Sequence, residues 1–425
     1  MRLVVCFAIK MQYRYFCIQE FEALCEMNEV KPIILSDVDK FDCNICPFIE
    51  VDLPDYEGAR QVVSRSVMIK YILDPFSQGT SYEDLLVNVD KERLTESLHS
   101  GKSIKFKVES IKKKIKPKER NEIISPYGDY APKDIVFEMK DPEQTYMVVG
   151  NPKTEEYYMG LEVACMSWKN NKSNFYAKYD LKARPYLGPT STSHELAFLM
   201  ANQAELKEGD LVFDPFVGTG SILIACSALK AFCFGSDIDL RVLQGYSVGK
   251  KAKKEIPGTE MIKRYDVFAN FKYYGLPKPC IVAMDISYPT MLLKKFDAIV
   301  CDPPYGVKAG SKKTQPNDVA SVKESKWKIN NETTLGIFTK KESYGINQIY
   351  HKLLKIASFL LKKGGKLVFL FHTDIEYPPE VNEYPTHPCF ELVHACENPL
   401  MRKRSRHSIK MVKICEPEDI EEVTE

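Results

Sequence analysis

The sequence predicts an α/β protein: a doubly wound parallel sheet behind an N-terminal α+β module. Three observations predict it. The chain has 425 residues, too many for one ordinary core, so two or three domains are expected. Its text changes character near residue 175, from short apolar alternations mixed with basic runs to a regular rhythm. From about Ala183 that rhythm is strand, helix, strand, the pattern of a parallel sheet.

In the first half, MRLVVCFAIKMQYRYFCIQEFE is interrupted by Lys10 and Arg14 and lacks a small-residue cleavage pattern. It is expected to be a strand entering a helix rather than a signal peptide. Phe48 to Leu53 alternates like a half-buried strand, and Asp55 to Ile72 has apolar residues at helical spacing. Ser103 to Val108, Ile135 to Met139 and Tyr146 to Val149 follow as strands, broken by Asp141-Pro142-Glu143. Together they predict an α+β region of two small sheets.

In the second half, Leu211-Val212-Phe213 is a short buried strand, followed by a glycine loop and a helix from Ser221 to Leu229. Ala231 to Gly235, Cys280 to Met284 and Phe296 to Cys301 are the next strands. A helix near Ile349 to Leu361 leads through Lys363-Gly364-Gly365 into the strand Lys366 to Phe371, and Ile409 to Ile414 is a candidate antiparallel closing strand. The stretch 307–343 lacks periodicity, which marks a lid or a disordered loop.

Hydrophobic residues make up 44% and charged residues 28%, the balance of a folded chain. No run of about twenty apolar residues exists, so no spanning helix is expected. Thirteen cysteines, an odd number, suit a reducing compartment, and a cytoplasmic location is expected. Cys43 and Cys46 form a CxxC without a second pair at zinc spacing, so two thiols at a turn are preferred to a metal site.

The net charge is only +1, so a nucleic-acid partner must be read from local charge. Residues 102–120 hold nine Lys or Arg against two Glu, with Lys112, Lys113 and Lys114 at the centre. Arg402, Lys403 and Arg404 begin a second cluster, and lysines recur from Lys308 to Lys328. Each run alone reads as a solvated face; three together shift the balance toward phosphate contacts.

The chemistry is carried by two loops. Asp214-Pro215-Phe216-Val217-Gly218-Thr219-Gly220 lies between a strand and a helix. Gly218 and Gly220 let the backbone pass close beside a ligand, next to the free N–H groups of a helix start. An acid about twenty residues on is expected to hold ribose hydroxyls, and Asp237, followed by Ile238, falls there. A dinucleotide fingerprint would have a third glycine where Leu223 stands. Asp214 would repel a pyrophosphate but suits the cationic amino acid end of S-adenosylmethionine. Asp285, after the third strand, either accepts from the adenine amine or caps a helix.

The second loop is Asp302-Pro303-Pro304-Tyr305-Gly306. An exocyclic base amine is a poor nucleophile because its lone pair is delocalised into the ring. It needs acceptors that draw on its N–H bonds and aim the nitrogen at the methyl group. Asp302 and the carbonyl of Pro303 supply them, Pro303 and Pro304 stiffen the loop, and Tyr305 offers a face for a flipped base. Cys301 precedes the loop and is expected in the core rather than as a nucleophile.

These motifs, with His387-Pro388-Cys389-Phe390-Glu391-Leu392, Gly188-Pro189-Thr190-Ser191 and Met200-Ala201-Asn202, resemble the catalytic subunit of the eukaryotic and archaeal tRNA guanosine-10 N2-methyltransferase family. The resemblance implies a Rossmann-like class I methyltransferase sheet over 175–425. Before it would come a ferredoxin-like region over 1–70 and a THUMP-like RNA-binding domain over 71–174. It implies donor-site roles for Ser191, Ser193, Asp214, Gly218, Gly220, Asp237 and Asp285, and amine handling by Asp302 through Tyr305. It also implies tRNA as substrate and a small zinc-binding activator protein as partner. Two rivals remain: an adenine N6-methyltransferase acting on DNA or rRNA, and an inactive RNA-binding scaffold, against which the intact glycines and Asp302 argue. The third strand, wholly apolar, would lie at a sheet edge, where either the activator or the chain's own 261–278 stretch would cover it.

Overall fold

The computed structural model describes all residues except 100, 167–173, 189, 246–249, 252–264, 287–294, 305–311, 315–322, 330–331, 339–340, 344–345, 375–382, 401–403 and 419–425. The chain divides into two compact units, Met1–Ala177 and Lys178–Glu425.

In the first unit the strands are β1 (Arg2–Phe7), β2 (Ile33–Ile34), β3 (Phe48–Asp52), β4 (Ile69–Gly79), β5 (Ser103–Ser110), β6 (Val136–Phe137), β7 (Gln144–Asn151) and β8 (Glu156–Cys165). The helices are α1 (Cys17–Met27), α2 (Tyr56–Ser64), α3 (Tyr82–Val87), α4 (Lys91–Ser97) and α5 (Pro117–Gly128). The expected two small sheets are one sheet of eight strands, ordered β2-β3-β1-β4-β8-β7-β5-β6. The cause is β4, whose eleven residues pair with β1 through Ile69 to Leu73 and with β8 through Tyr71 to Gly79. One long strand thus serves both halves. Alternation explains why the sheet buries both faces. On β7, Tyr146 and Val148 join a core with Phe106 and Met159, while Met147 and Val149 join one with Val4 and Leu73.

The predicted helix from Asp55 to Ile72 stops early. Asp55 caps α2 by accepting from the Gly58 N–H at 2.7 Å, but the helix ends at Ser64 and Ile69 already belongs to β4. A tertiary contact overrides the helical spacing. The fully buried Glu20 of α1 accepts from Ser66 Oγ at 2.7 Å and from the Val67 and Met68 N–H groups at 2.8 Å each. Those donors are unavailable to helical bonds, so the chain turns there.

The second unit holds β9 (Tyr186–Leu187), α6 (His194–Gln203), β10 (Leu211–Asp214), α7 (Ser221–Ala228), β11 (Phe232–Asp237), α8 (Leu240–Leu243), β12 (Lys250–Lys251), α9 (Val267–Tyr274), β13 (Cys280–Ala283) and β14 (Phe296–Cys301). After these come β15 (Lys312–Thr314), β16 (Lys323–Ile329), β17 (Glu332–Phe338), β18 (Lys341–Ser343), α10 (Ile346–Leu360), β19 (Leu361–Asp374), β20 (Phe390–Pro399) and β21 (Arg404–Lys413). The main sheet is ordered β13-β11-β10-β14-β19-β21-β20. Its first five strands run parallel, and β21 is antiparallel to both of its neighbours.

This is the expected α/β sheet, with β13 at the expected edge. The antiparallel strand at Ile409 is present but does not close the sheet, because β20 lies outside it. Lys363-Gly364-Gly365 is part of β19, not a connector. It forms an irregularity in the pairing with β14, with Gly364 at φ +79°. The 307–343 stretch, expected to be a lid or a disordered loop, contains among its described residues the antiparallel pairs β15–β18 and β16–β17. One face of the main sheet is sealed by α10, whose Leu353, Leu354 and Ala357 join Ile299, Leu367 and Phe369 in a single core.

Replacing Glu20 by leucine strands three buried donors with no acceptor. The expected loss is about 3 kcal/mol of stability or more, read from urea unfolding, with Glu20→Gln recovering part of it. An unchanged unfolding midpoint in the leucine variant would show that the turn at Ser66 does not depend on this carboxylate.

Candidate active site

The site is made where the parallel strands end. The C-terminal ends of the parallel strands lie along one end of the sheet, so the residues at or just past the ends of β10, β11, β13 and β14 collect there. These are Asp214, Asp237, Asp285 and Asp302, four of the residues singled out by sequence.

Asp214 ends β10 and is 1% exposed. Burial pushes its carboxyl well above the usual carboxylate range. The Phe216 N–H, donating at 2.9 Å, opposes that, while Asp237 and Asp302 reinforce it with like charge. The loop that follows turns through left-handed backbone at Gly218 (φ +53°) and Gly220 (φ +83°), where a side chain would be strained. The two glycines have different surroundings. A Cβ at Gly220 would lie 2.9 Å from Val267 Cγ2, so that glycine serves packing against α9. A Cβ at Gly218 would meet only the Phe216 carbonyl, 3.9 Å away. That side of Gly218 is open for a ligand.

Asp237 braces this loop. It accepts from the Gly218 N–H and the Asp239 N–H, both at 2.8 Å, and the Val217 N–H donates to the Ser236 carbonyl at 3.0 Å. Pro215 is buried and its carbonyl accepts from Ser236 Oγ at 3.4 Å. Ile238 follows, half-buried. Asp285 is buried just beyond β13, which is held to β11 by the Met284 N–H donating to the Asp237 carbonyl at 3.1 Å.

Ser191 accepts from the Gly188 N–H at 2.9 Å and lies 2.9 Å from Thr219 Oγ1, tying the 188–193 segment to the glycine loop. Ser193 instead caps α6, accepting from the Leu196 N–H at 3.3 Å. Beneath them Asn270, fully buried on α9, accepts from the Tyr186 N–H at 2.8 Å. It donates to the Tyr186 and Thr219 carbonyls at 2.9 and 3.1 Å. Sequence reasoning missed Asn270 because it sits in a stretch read as a covering loop.

Asp302 follows directly on β14, with Pro303 buried and Pro304 half-buried after it; Tyr305 lies outside the described residues. Thr192 Oγ1 donates to Asp302 Oδ2 at 2.8 Å, and His372 Nε2 lies 3.5 Å from Oδ1. Neither neighbour was singled out by sequence. The available signal for His372 was a histidine directly after the apolar run Leu367 to Phe371. Cys301 is fully buried, and burial holds its thiol far above its ordinary value, with Asp214 and Asp302 adding to the shift. A neutral thiol in the core is no nucleophile.

In the first unit, Lys112 takes a left-handed backbone (φ +58°) and its ammonium donates to the Asn44 carbonyl. Lys113 lies 3.5 Å from Glu119, and Lys114 is exposed. Arg404 is exposed at the start of β21, while Arg402 and Lys403 lie outside the described residues. All thirteen cysteines are free thiols. Cys43 is fully buried, and Cys46 donates to Glu156, burial pushing its thiol up to about 12. Among the described residues no cluster could hold a metal ion, and no helix is long and apolar enough to cross a membrane.

Comparison with known proteins gives these features a family. The family described as Tmrp11 THUMP N-terminal domain matches residues 1–164, and the RMKL-like methyltransferase domain matches residues 182–320. The tRNA (guanine(10)-N(2))-methyltransferase TRMT11 of Homo sapiens is 31% identical over 389 residues, covering 87% of this chain and 80% of that protein. The tRNA (guanine(10)-N(2))-methyltransferase of Saccharomyces cerevisiae is 28% identical, covering 89% of this chain and 86% of that protein. Among solved structures, TrmN from Thermus thermophilus is 16% identical with a TM-score of 0.43, covering 97% of this chain and all of that one. By its identity with TRMT11 over most of both chains, this protein belongs to the tRNA (guanine(10)-N(2))-methyltransferase family.

Proposed function

We infer that this chain transfers a methyl group from S-adenosylmethionine to the exocyclic N2 amine of a guanosine in tRNA, position 10 by family membership. The observation that carries the reading is the meeting of a buried acid, an open glycine turn and Asp302 at one end of the sheet. The residues fit the donor. Asp214, whose carboxyl burial pushes well above the usual carboxylate range, would be favoured as the carboxylate beside a cationic amino group. Gly218 presents open space, and Asp237 stands at the end of the second strand with the several acceptor sites that a carboxylate offers to ribose hydroxyls. Asp285, Ile238, Pro215 and Ser191 would complete the surround, with Ser193 contributing through the α6 cap. When bound, S-adenosylmethionine supplies an electrophilic methyl group. The protein's share is to accept from the amine through Asp302 and the Pro303 carbonyl, to hold its nitrogen in line and to exclude water. Tyr305 is proposed to stack on the base.

The exposed Lys114 and Arg404, with Arg402 and Lys403, are proposed to contact tRNA phosphates. Lys112 and Lys113, also exposed, are proposed to join them, each ammonium keeping N–H donors beyond the one given to Asn44 or Glu119. The domain plan proposed is a ferredoxin-like region over 1–70, a THUMP-like domain over 71–174 and the methyltransferase domain over 175–425. A cytoplasmic location is proposed on the reduced cysteines and the tRNA substrate.

A small zinc-binding activator is proposed to cover β13. Among the described residues this strand pairs on one side only, with β11, and Val282 is 41% exposed. An apolar edge without charge or proline invites pairing with another chain.

Asp302→Ala should slow methylation by roughly 3 kcal/mol of barrier, about a hundredfold, because one acceptor is lost from a preorganised site. Donor affinity by calorimetry should be kept; near-normal turnover would sink the mechanism. Mass analysis of the modified nucleoside separates N2-methylguanosine from N6-methyladenosine.

Asp214→Asn should stabilise the unliganded protein while weakening donor binding. The folded carboxyl keeps its proton to higher pH than the unfolded one, so between the two titrations the native state binds the extra proton. Stability therefore falls as pH rises from the ordinary carboxylate range through the folded value, and is recovered below it. Thermal unfolding across pH should show this slope in the wild type and lose it in the asparagine variant. An unaltered slope would mean Asp214 is not the group responsible.

Val282→Lys should abolish co-purification with the activator while leaving the lone chain folded. A lone wild-type chain that is soluble, monodisperse and fully active would remove the case for an obligatory partner.

A further inference from the structure

We propose that His372 and Thr192 are positioning residues for Asp302: Thr192 fixes the carboxylate plane, and His372 receives the proton that the amine sheds. The inference rests on the reading of Asp302 as the acid that faces the amine.

A carboxylate at the tip of a strand has two free torsions and would sample many orientations. Thr192 Oγ1, on the segment leading into α6, donates to Oδ2 at 2.8 Å, and Thr192 itself is buried. That bond selects one orientation and turns Oδ1 toward β19. There His372 Nε2 stands 3.5 Å away. The backbone that carries the imidazole is held: β19 pairs antiparallel with β21, where His372 faces Arg406, and the backbone N–H of His372 lies 3.4 Å from the Tyr350 hydroxyl of α10. The side chains of Asp302 and His372 are 16% and 12% exposed, so the pair is shielded but keeps a way to water. A contact of 3.5 Å in an unliganded enzyme is one that tightens when charge develops.

The proton has to go somewhere. As the amine nitrogen forms its bond to the methyl carbon, the carbon–sulfur bond breaks with its electron pair left on sulfur. One N–H bond of the amine breaks, and its proton passes to Oδ1 of Asp302. His372 Nε2 takes that proton and returns it to water, leaving Asp302 ionised for the next turnover. His372 Nε2, 3.5 Å from Oδ1, is the nitrogen base that the structure sets beside this carboxylate.

The test uses the full chain with its activator. His372→Gln keeps a donor toward Oδ1 but cannot carry a proton. Its kcat should fall about a hundredfold, with KM for tRNA and calorimetric donor affinity unchanged, and a solvent deuterium isotope effect should emerge. Thr192→Val should lower kcat and Thr192→Ser should restore it. Independently of activity, the nitrogen-15 imidazole resonances of His372 should move in Asp302→Asn, while those of the other histidines stay. Wild-type kcat in His372→Gln, or an imidazole indifferent to Asp302→Asn, would overturn the proposal. A coupled imidazole in a chain that does not methylate guanosine would uphold the pairing and sink the substrate assignment instead.

Discussion

Like charge at one end of a sheet is the constraint on which this site depends. Asp214, Asp237 and Asp302 stand at the ends of parallel strands, and Asp214 is the most deeply buried of them, with the other two carboxylates near it. A protein selected only for stability would put an amide or an alkyl group there. The structure instead uses other groups to hold the acids apart and oriented. Asp237 is engaged by two backbone N–H groups of its own loops, and Asp302 by Thr192. Asp214 keeps one backbone donor, from Phe216, and is the group with most to gain from a cationic ligand. The glycine turn follows from the same constraint. The Gly218 N–H faces Asp237 while the chain reverses into α7 through left-handed backbone at Gly218 and Gly220.

Much of the second unit is legible because parallel strands buried on both faces write themselves as short apolar runs. Phe296 to Cys301 is legible to the residue, and Leu211, Phe232 and Cys280 start strands within a residue of expectation. The acids are legible by their position just after such runs. What sequence does not contain is what turns toward them. Thr192 stands between two serines that were singled out, and only the three-dimensional path of 188–193 shows that it, not Ser193, reaches Asp302. Ser193 instead answers the local need of α6 for an N-cap, a role equally consistent with its residue type.

The first unit shows the opposite weakness. Its errors came from long-range contacts that no local window contains. Helical spacing from Asp55 onward was real as far as Ser64, after which Glu20, in a distant helix, withdrew the next donors. The division into two sheets failed because β4 reads as an ordinary strand at each end, and nothing local says that both ends pair at once. The basic ribbon was correct as composition and incomplete as electrostatics. Lys112 and Lys113 answer Asn44 and Glu119 in the same unit, which charge counting over a window cannot register.

The neighbouring positions Cys301 and Asp302 show how one strand end sorts chemistry by alternation. Successive side chains along a strand point to opposite faces. Cys301 lies wholly in the core with Phe369 and Ile349, and burial keeps its thiol protonated. Asp302, one residue on and past the last core position, is partly exposed and turned toward Thr192 and His372. Shifting the register by one residue would exchange them. It would put a nucleophile-capable thiol at the mouth and an unpaired carboxylate in the core, a burial the fold could not sustain. That register is set by the pairing of Phe296 to Cys301 with Leu361 to Phe369, which passes the irregularity at Gly364 and Gly365 and runs up to the residue before Asp302.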